Sequence, residues 1–481
     1  MTATSQPLTV RFGRLPRRGL ILGLSTPRVA CIAGAAATII PALMWMGAAG
    51  VLVSTPLWLT FLALAFAPWN GGPAIETLPT AAQFVTRRAT SQTRFLARPD
   101  TPRPAGTLAL PGDTTALRFH IDDQSDAAMI HDPHEQTLTA VALVQHPAYV
   151  LLSPEEQARR VHGWGRTLAA LANGPCTRIQ ILESSLPNSG RTIAGWWEDQ
   201  GSKDEQQWAV RQYQELMRTC APSASTHRTL IAIAIDLKAA RSAIRRSGRG
   251  ITGAAAVLRQ EMDALSSTLQ AAELRLVRWL DEAEVARTLR GAYDPRYDQQ
   301  PAGADGPSLS TAGPMAVDER WDMVRHDTGF SSVLWIQQWP RVDVPTHFLH
   351  SLVFQPGIRR TLSITATPVP VGKAIRDIRR AKVEHATDSM QKARIGAISD
   401  LADAAELSDV LDRERALVAG HADIRFTGLL SITEGTPDDL EAAVAAVERA
   451  AAQSGCETRR LLGQQAQAFS AAALPLARRV S

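Results

Sequence analysis

The run VACIAGAAATIIPALMWMGAAGVLVSTPLWLTFLALAFAPWNGGPAI, residues 29–75, contains not one charged side chain. Within it, apolar stretches 29–46 and 51–69 flank the small residues Gly47, Ala48, Ala49 and Gly50. A helix of about 17 to 25 residues crosses a bilayer, so each stretch is long enough. The run therefore predicts a transmembrane hairpin over residues 29–70. Pro41 and Pro56 disfavour soluble helices more than membrane ones, where neighbouring groups satisfy the freed backbone. Gly34 and Thr38, one turn apart, permit a second helix to approach closely. A cleaved leader ending at Ala65, Phe66 and Ala67 does not fit, because two apolar spans precede that point.

The flanks set an orientation. Arg11, Arg14, Arg17, Arg18 and Arg28 precede the run and Arg87, Arg88, Arg94 and Arg98 follow it, so both termini are expected on the cytoplasmic side of a multi-pass protein of the inner or plasma membrane. Arg17, Arg18, Arg28, Arg87 and Arg88, with Trp45 and Trp69 near the span ends, are the expected membrane-interface residues. Net charge is +4 overall, but residues 1–103 alone carry ten arginines against Glu76 and Asp100. That basic excess fits an anionic membrane surface better than nucleic acid, since a long apolar run interrupts it. Direct nucleic-acid binding is not expected. Cys31, Cys176, Cys220 and Cys456 form no C-x-x-C pair and read as reduced, buried thiols.

The domain plan is a basic tail (1–28), the hairpin (29–70), a juxtamembrane helix and linker (71–103), a first α+β half (104–300), a linker (301–316) and a second α+β half (317–481). In the first half, strands are expected at 107–110, 116–121, 137–144 and 178–183. The helix after Ser153 opens with a capping box, Ser153 as cap and Glu156 three residues on, with Pro154 at the first helical position. Strand 228–236, helix 252–270, strand 274–279 and helix 281–290 then follow. Residues 293–316, rich in Pro, Gly, Asp and Ser, read as a loop. Strands 331–337 and 360–367 come next, then a helical region 373–419 bent near Gly396. The order strand 424–432, helix 436–454, strand 456–461, helix 464–473 repeats that of 228–290. The fold class is α+β, its body made of two related halves, ferredoxin-like in plan.

Catalytic motifs are missing. Gly248, Gly250 and Gly253 spell G-x-G-x-x-G, but residues 237–247 separate them from the preceding strand, so they read as a helix-entry loop. There is no G-x-x-x-x-G-K-[ST], no G-x-S-x-G and no H-E-x-x-H. The pairs His131/His134 and His347/His350 lack further ligands at metal spacing. No catalytic residue, metal site or cofactor is expected.

The segment 19–98, with ILGLS at 21–25 and AIETLPTAAQFVTRRATSQ at 74–92, resembles the PrgI-like small inner-membrane subunit of Gram-positive conjugation systems. From Gly106 onward the chain resembles the N-terminal domain of the large conjugative type IV secretion ATPase. The residues that carry this are Trp339-Pro340, Arg359-Arg360, Pro368-Val369-Pro370, the long helix after them, Phe426 to Ile432, Asp438 to Glu448, Gln465, Ala468, Phe469 and Leu474-Pro475-Leu476. The resemblance implies a fused subunit of actinobacterial mobile-element type that stops before the motor domain. Its implied role is a non-catalytic inner-membrane scaffold, oligomeric within its complex, that docks a separately encoded secretion ATPase and meets other inner-membrane secretion subunits. Phe469, Leu474 and Leu476 are the expected docking residues. The rival expectation is a membrane-anchored enzyme with a site between the two halves.

Overall fold

A computed structural model of the chain describes residues 9–12, 24–69, 72–98, 100, 104–145, 149–172, 174–187, 197–202, 204, 206–220, 225–297, 306–394 and 401–480. Arg14, Arg17, Arg18 and the bend near Gly396 lie outside them.

The uncharged run is not two helices joined by a loop. It forms one helical element, α1, over Thr26–Phe66, and its backbone leaves helical geometry only at Gly47, with φ 60° and ψ −146°. The predicted four-residue turn is therefore an overestimate: a glycine at positive φ deflects the chain by itself, so Ala48 to Gly50 stay helical. A Cβ on Gly34 would lie 3.3 Å from the Phe61 ring, whereas 27 residues of straight helix span roughly 40 Å. The element thus doubles back at Gly47. Among the described residues it alone is long and apolar enough to cross a membrane, with mean hydropathy 1.9 over its most apolar window.

Among the described residues, beside two short two-stranded ribbons, the body is built on one sheet of 13 strands. These are β1 (Arg94–Leu96), β2 (Arg118–Ile121), β3 (Ala128–Asp132), β4 (Thr137–Gln145), β5 (Cys176–Pro187), β6 (Ser225–Asp236), β7 (Arg275–Trp279), β8 (Ala316–Glu319), β9 (Val324–His326), β10 (Gly329–Gln338), β11 (Arg359–Val369), β12 (Asp423–Glu434) and β13 (Glu457–Arg460). The longer helices are α2 (Ala74–Ala89), α3 (Pro154–Ala172), α4 (Trp208–Cys220), α5 (Gly250–Ala271), α6 (Glu282–Tyr293), α7 (Val371–Arg394), α8 (Leu401–Val418), α9 (Pro437–Gln453) and α10 (Gln465–Ala473).

Two four-stranded units share a plan. In the first, β4-α3-β5-β6-α5-β7, the lateral order is β7-β4-β6-β5 with every neighbour antiparallel. In the second, β10, β11, β12 and β13 lie in the order β13-β10-β12-β11, again wholly antiparallel, with α7 and α8 between β11 and β12. Both follow the order 4-1-3-2. The units join side by side through β5 and β11, from Arg360 opposite Ser185 to Ala366 opposite Ile179.

Side chains alternate between the two faces of the sheet. Ile231, Ile233 and Ile235 of β6 meet α5 in one core, and Leu430 and Ile432 of β12 meet α9 in another on the same face. Leu230, Ala232 and Ala234 point to the opposite face, where they share a third core with Leu429, α6 and α10. Both faces being covered, β6 reads as the near-continuous apolar run LIAIAI.

The capping box at Ser153 and Glu156 forms, and a second occurs at Asp281 and Glu284. Other expectations need correction. Residues 107–110 make only an isolated bridge, Thr107 to Arg118, and bury Leu108 and Leu110 instead. The expected linker over 301–316 is, in its described part, packed into the body: Leu309 and Ala312 are fully buried, and a Cβ on Gly313 would strike the Ala109 carbonyl. Polar composition suggested a loose segment, but two apolar side chains suffice to pin it. Strand β3 and helix α4 were not foreseen.

Candidate functional site

The site with most to say about function is where α1 is seated on the body. The chain leaves α1 at Ala67, forms a short ribbon in which Pro68–Trp69 pairs with Gly72–Pro73, and enters α2. At the first turn of α2, Glu76 accepts a hydrogen bond from the Ser25 hydroxyl and lies 3.6 Å from the Arg28 guanidinium. Ser25 immediately precedes the first residue of α1, and its hydroxyl goes to Glu76 and caps no helical N–H, so both ends of the apolar element converge on α2.

Helix α2 in turn is clamped to the sheet. Phe84, 4% exposed, meets Trp321 edge-on at 5.2 Å, and Trp69 stacks on the same indole at 6.3 Å. A Cβ on Gly463 would come within 2.6 Å of that ring, and Gly463 holds φ +72°, so glycine is required there twice over. Arg87 donates to Glu319 at 2.8 Å and to the Gly463 carbonyl at 2.5 Å. The other oxygen of Glu319 accepts the Ala466 N–H at 3.1 Å, at the start of α10, where the helix dipole favours an anion. Burial nonetheless raises the pKa of Glu319 above the ordinary carboxylate value, while Ala466 and Arg87 pull it back. Two residues past Gln92 the chain becomes β1, an edge strand pairing Arg94, Phe95 and Leu96 with Asp318, Val317 and Ala316.

This reassigns several residues expected at the lipid interface. Arg87 faces a buried carboxylate and not headgroups, because Glu319 needs a cation once it is desolvated. Trp69 lies on Trp321. Arg28 is engaged with Glu76. Arg88 is exposed on α2, and Trp45, 86% exposed, sits two residues before the fold at Gly47. Arg17 and Arg18 lie outside the described residues.

The expected docking residues are core residues. Phe469 is 1% exposed, Leu474 fully buried and Leu476 4% exposed. The Phe469 ring lies 5.1 Å from Tyr293 and 4.9 Å from His326. Gln180 of β5 donates to the Leu474 and Ala471 carbonyls and accepts from the Ala477 N–H at 2.7 Å, while Arg178 donates to the Ala477 carbonyl at 2.5 Å. Arg478, 7% exposed, lies 3.0 Å from both Asp113 and Asp132. Position late in the chain alone makes these apolar residues look exposed, and their buried partners Gln180 and Arg178, about 300 residues earlier, carry no local signal.

The arginine pair Arg359-Arg360 is held inside the fold. Arg359 donates to the Gly291 carbonyl at 2.8 Å, near the end of α6. Arg360, 2% exposed, donates to the carbonyls of Val353, the last residue of the short helix His350–Val353, and of Gln355 just beyond it, and burial lowers its pKa to about 10, which still leaves it charged.

Ser185, His227 and Glu183 bring together a hydroxyl, an imidazole and a carboxylate, but not in a relay. Ser185 lies 3.2 Å from Nδ1 of His227, and Glu183 approaches that same nitrogen at 3.6 Å. A nucleophile–base–acid relay requires the acid and the nucleophile on opposite ring nitrogens. The Ser185 hydroxyl donates instead to the Val353 carbonyl at 2.9 Å. No group of three or more His, Cys, Asp or Glu placed to hold a metal occurs among the described residues. Gly248 and Gly250 take positive φ in the corner between the short helix Arg241–Arg246 and α5, and a Cβ on Gly253 would lie 2.5 Å from the Ile244 carbonyl. The G-x-G-x-x-G pattern is thus accounted for by two helices crossing closely.

No protein-family model matches this chain, and no curated protein matches it.

Proposed function

We propose that the chain is a non-catalytic scaffold of a conjugation-like type IV secretion system, held at the inner membrane by α1 and docking a separately encoded ATPase through its α+β body. The observation that carries the membrane part is the convergence of Ser25, Arg28 and Glu76. An element whose two ends meet on one helix has both ends on one side of any bilayer it enters, so α1 enters as two limbs folded at Gly47 and the body stays on the arginine-rich, cytoplasmic side. Met44, Trp45, Met46, Leu52 and Val53, all more than half exposed around the fold, supply the apolar surface for insertion.

The two 4-1-3-2 units are ferredoxin-like in plan, related by duplication, and serve as a rigid platform. The clamp of α2 on Trp321 and Glu319 supports this reading, since it ties the body's orientation to the membrane element. The secretion role rests on the resemblance of residues 19–98 and of the body from Gly106 onward.

The deciding experiment expresses the full chain with the neighbouring ATPase gene in an actinobacterial host. The chain is expected in the membrane fraction, with cysteine reporters at Thr2 and Val480 inaccessible from outside, and the ATPase is expected to co-purify in mild detergent. A chain recovered in the soluble fraction sinks the membrane part, and an ATPase that never co-purifies sinks the scaffold part.

A further inference from the structure

Residues Thr9 to Phe12 lie in a groove of the second unit, distant in sequence from everything they touch. Thr9 and Val10 pair antiparallel with Pro345 and Val344. The Phe12 ring enters a cluster of three aromatic rings, 5.3 Å from Trp339, 5.3 Å from Phe348 and 6.0 Å from Phe426. Arg11 lies 3.3 Å from Asp409 of α8.

The body supplies the groove's walls. Trp339 meets Phe426 edge-on at 5.2 Å and Phe348 at 6.4 Å. Its indole lies over Gly428 of β12, where a Cβ would come within 2.8 Å of the ring, so a bare backbone makes room for the floor of the well. A strand edge, an aromatic well and a carboxylate are therefore brought together from residues 339–348, 409 and 426–428. Strand addition supplies affinity through the main chain, and the side-chain well supplies specificity, which is a recurring mode of peptide recognition.

We propose that this groove is a recognition site for an extended peptide bearing an Arg-aromatic pair, and that its resting occupant is the chain's own Thr9–Phe12 segment, held as a releasable latch. The hold is short: a two-residue ladder, one ring and one ion pair whose arginine is half exposed. Such a pair adds little. Thr9 and Arg11 are exposed and Phe12 is only half-buried, in contrast to the fully buried Phe469 of the core. With the latch closed, the body is held to the N-terminal region at two places, through the groove and through α2. This inference stands independently of the membrane reading.

The test uses full-length protein in detergent and a fluorescent peptide of residues 6–14, QPLTVRFGR. In the wild type the tethered segment competes at high effective concentration. The peptide is therefore expected to bind the Phe12→Ala chain at least ~10-fold more tightly than the wild type. Binding to that chain is expected to be lost when the peptide itself carries Phe12→Ala, and to weaken several-fold when the chain also carries Asp409→Ala, which removes the α8 carboxylate and none of the three rings. No binding to the Phe12→Ala chain, or equal binding by the two peptides, overturns the recognition site. A Val10→Cys/Val344→Cys chain is expected to oxidise within one molecule; a disulfide-linked dimer in its place overturns the assignment of the chain's own segment as occupant and gives the groove to a second copy.

Discussion

The imidazole of His326 lies 4.9 Å from the ring of Phe469, wholly buried, with Nδ1 2.6 Å from the Tyr293 carbonyl and Nε2 2.6 Å from the Ser331 hydroxyl. Burial lowers its pKa to about 4, against the partial opposing effect of the Tyr293 carbonyl. The folded state thus binds fewer protons than the unfolded one between about pH 6.5 and 4, and stability is complete above the unfolded value and lost as pH falls through this window. The loss reaches up to about 3 kcal/mol. Glu434 works the other way: burial raises its pKa to about 7, so its contribution is present at low pH and lost as pH rises towards 7. Thermal unfolding from pH 7 to 4.5 is expected to show the two effects opposing one another in the wild type, and the Tm of His326→Asn rising relative to the wild type as pH falls. An identical slope in both chains removes His326 as the cause.

The Arg87–Glu319 pair makes a prediction opposite to that of a headgroup arginine. Arg87→Ala leaves a desolvated carboxylate, at a cost of about 3 kcal/mol, and Glu319→Gln in the same chain is expected to recover part of it. Tm in detergent reads this directly. An arginine that only touched lipid would leave Tm unchanged and lower vesicle affinity.

Phe469→Ala is expected to cost about 3 to 5 kcal/mol, because it empties the space between Tyr293 and His326. Phe469→Asp or Leu476→Asp is expected to yield aggregated or proteolysed protein. Normal Tm with selective loss of a partner would return these residues to a docking role.

In the apolar element, Leu43→Arg places a charge within the limb before Gly47, costing about 2.5 to 3.5 kcal/mol on insertion. The chain is expected to shift towards the soluble or aggregated fraction on membrane flotation. Gly34→Ile wedges the limbs apart at Phe61 and is expected to shift detergent-solubilised protein to larger species, with membrane association retained.

How much of this was legible depended on whether the signal was local. LIAIAI in β6, the cap at Ser153, and the helices over 250–271 and 437–453 announce themselves by periodicity and end residues, and they fall within a few residues of their expected bounds. Pairing of β5 with β11 joins residues nearly 180 apart and has no local signature. The same distance hid the roles of Arg87, Phe469 and Leu474: an arginine beside an apolar run looks like a headgroup ligand until Glu319 is brought beneath it. Around Gly47 the sequence pattern leads one to expect two helices joined by a turn, where the structure has one helical element whose backbone leaves helical geometry at that single glycine. Phe12 carries no signal in the sequence, because one aromatic in a polar tail means nothing until Trp339, Phe348 and Phe426 surround it.

The ladder between β5 and β11 also governs how the gene tolerates cutting. Each strand is its unit's outermost in the 4-1-3-2 order, and each contributes at least seven residues to the join. Severing the chain between the units would leave two fragments, each displaying a long, flat row of unsatisfied amides and carbonyls, the surface that nucleates edge-to-edge aggregation. Either fragment made alone is expected to precipitate or to pair with its own kind. Made together they should find one another, because the register from Arg360 to Ala366 and the α10 residues that bridge to Gln180 specify the correct neighbour.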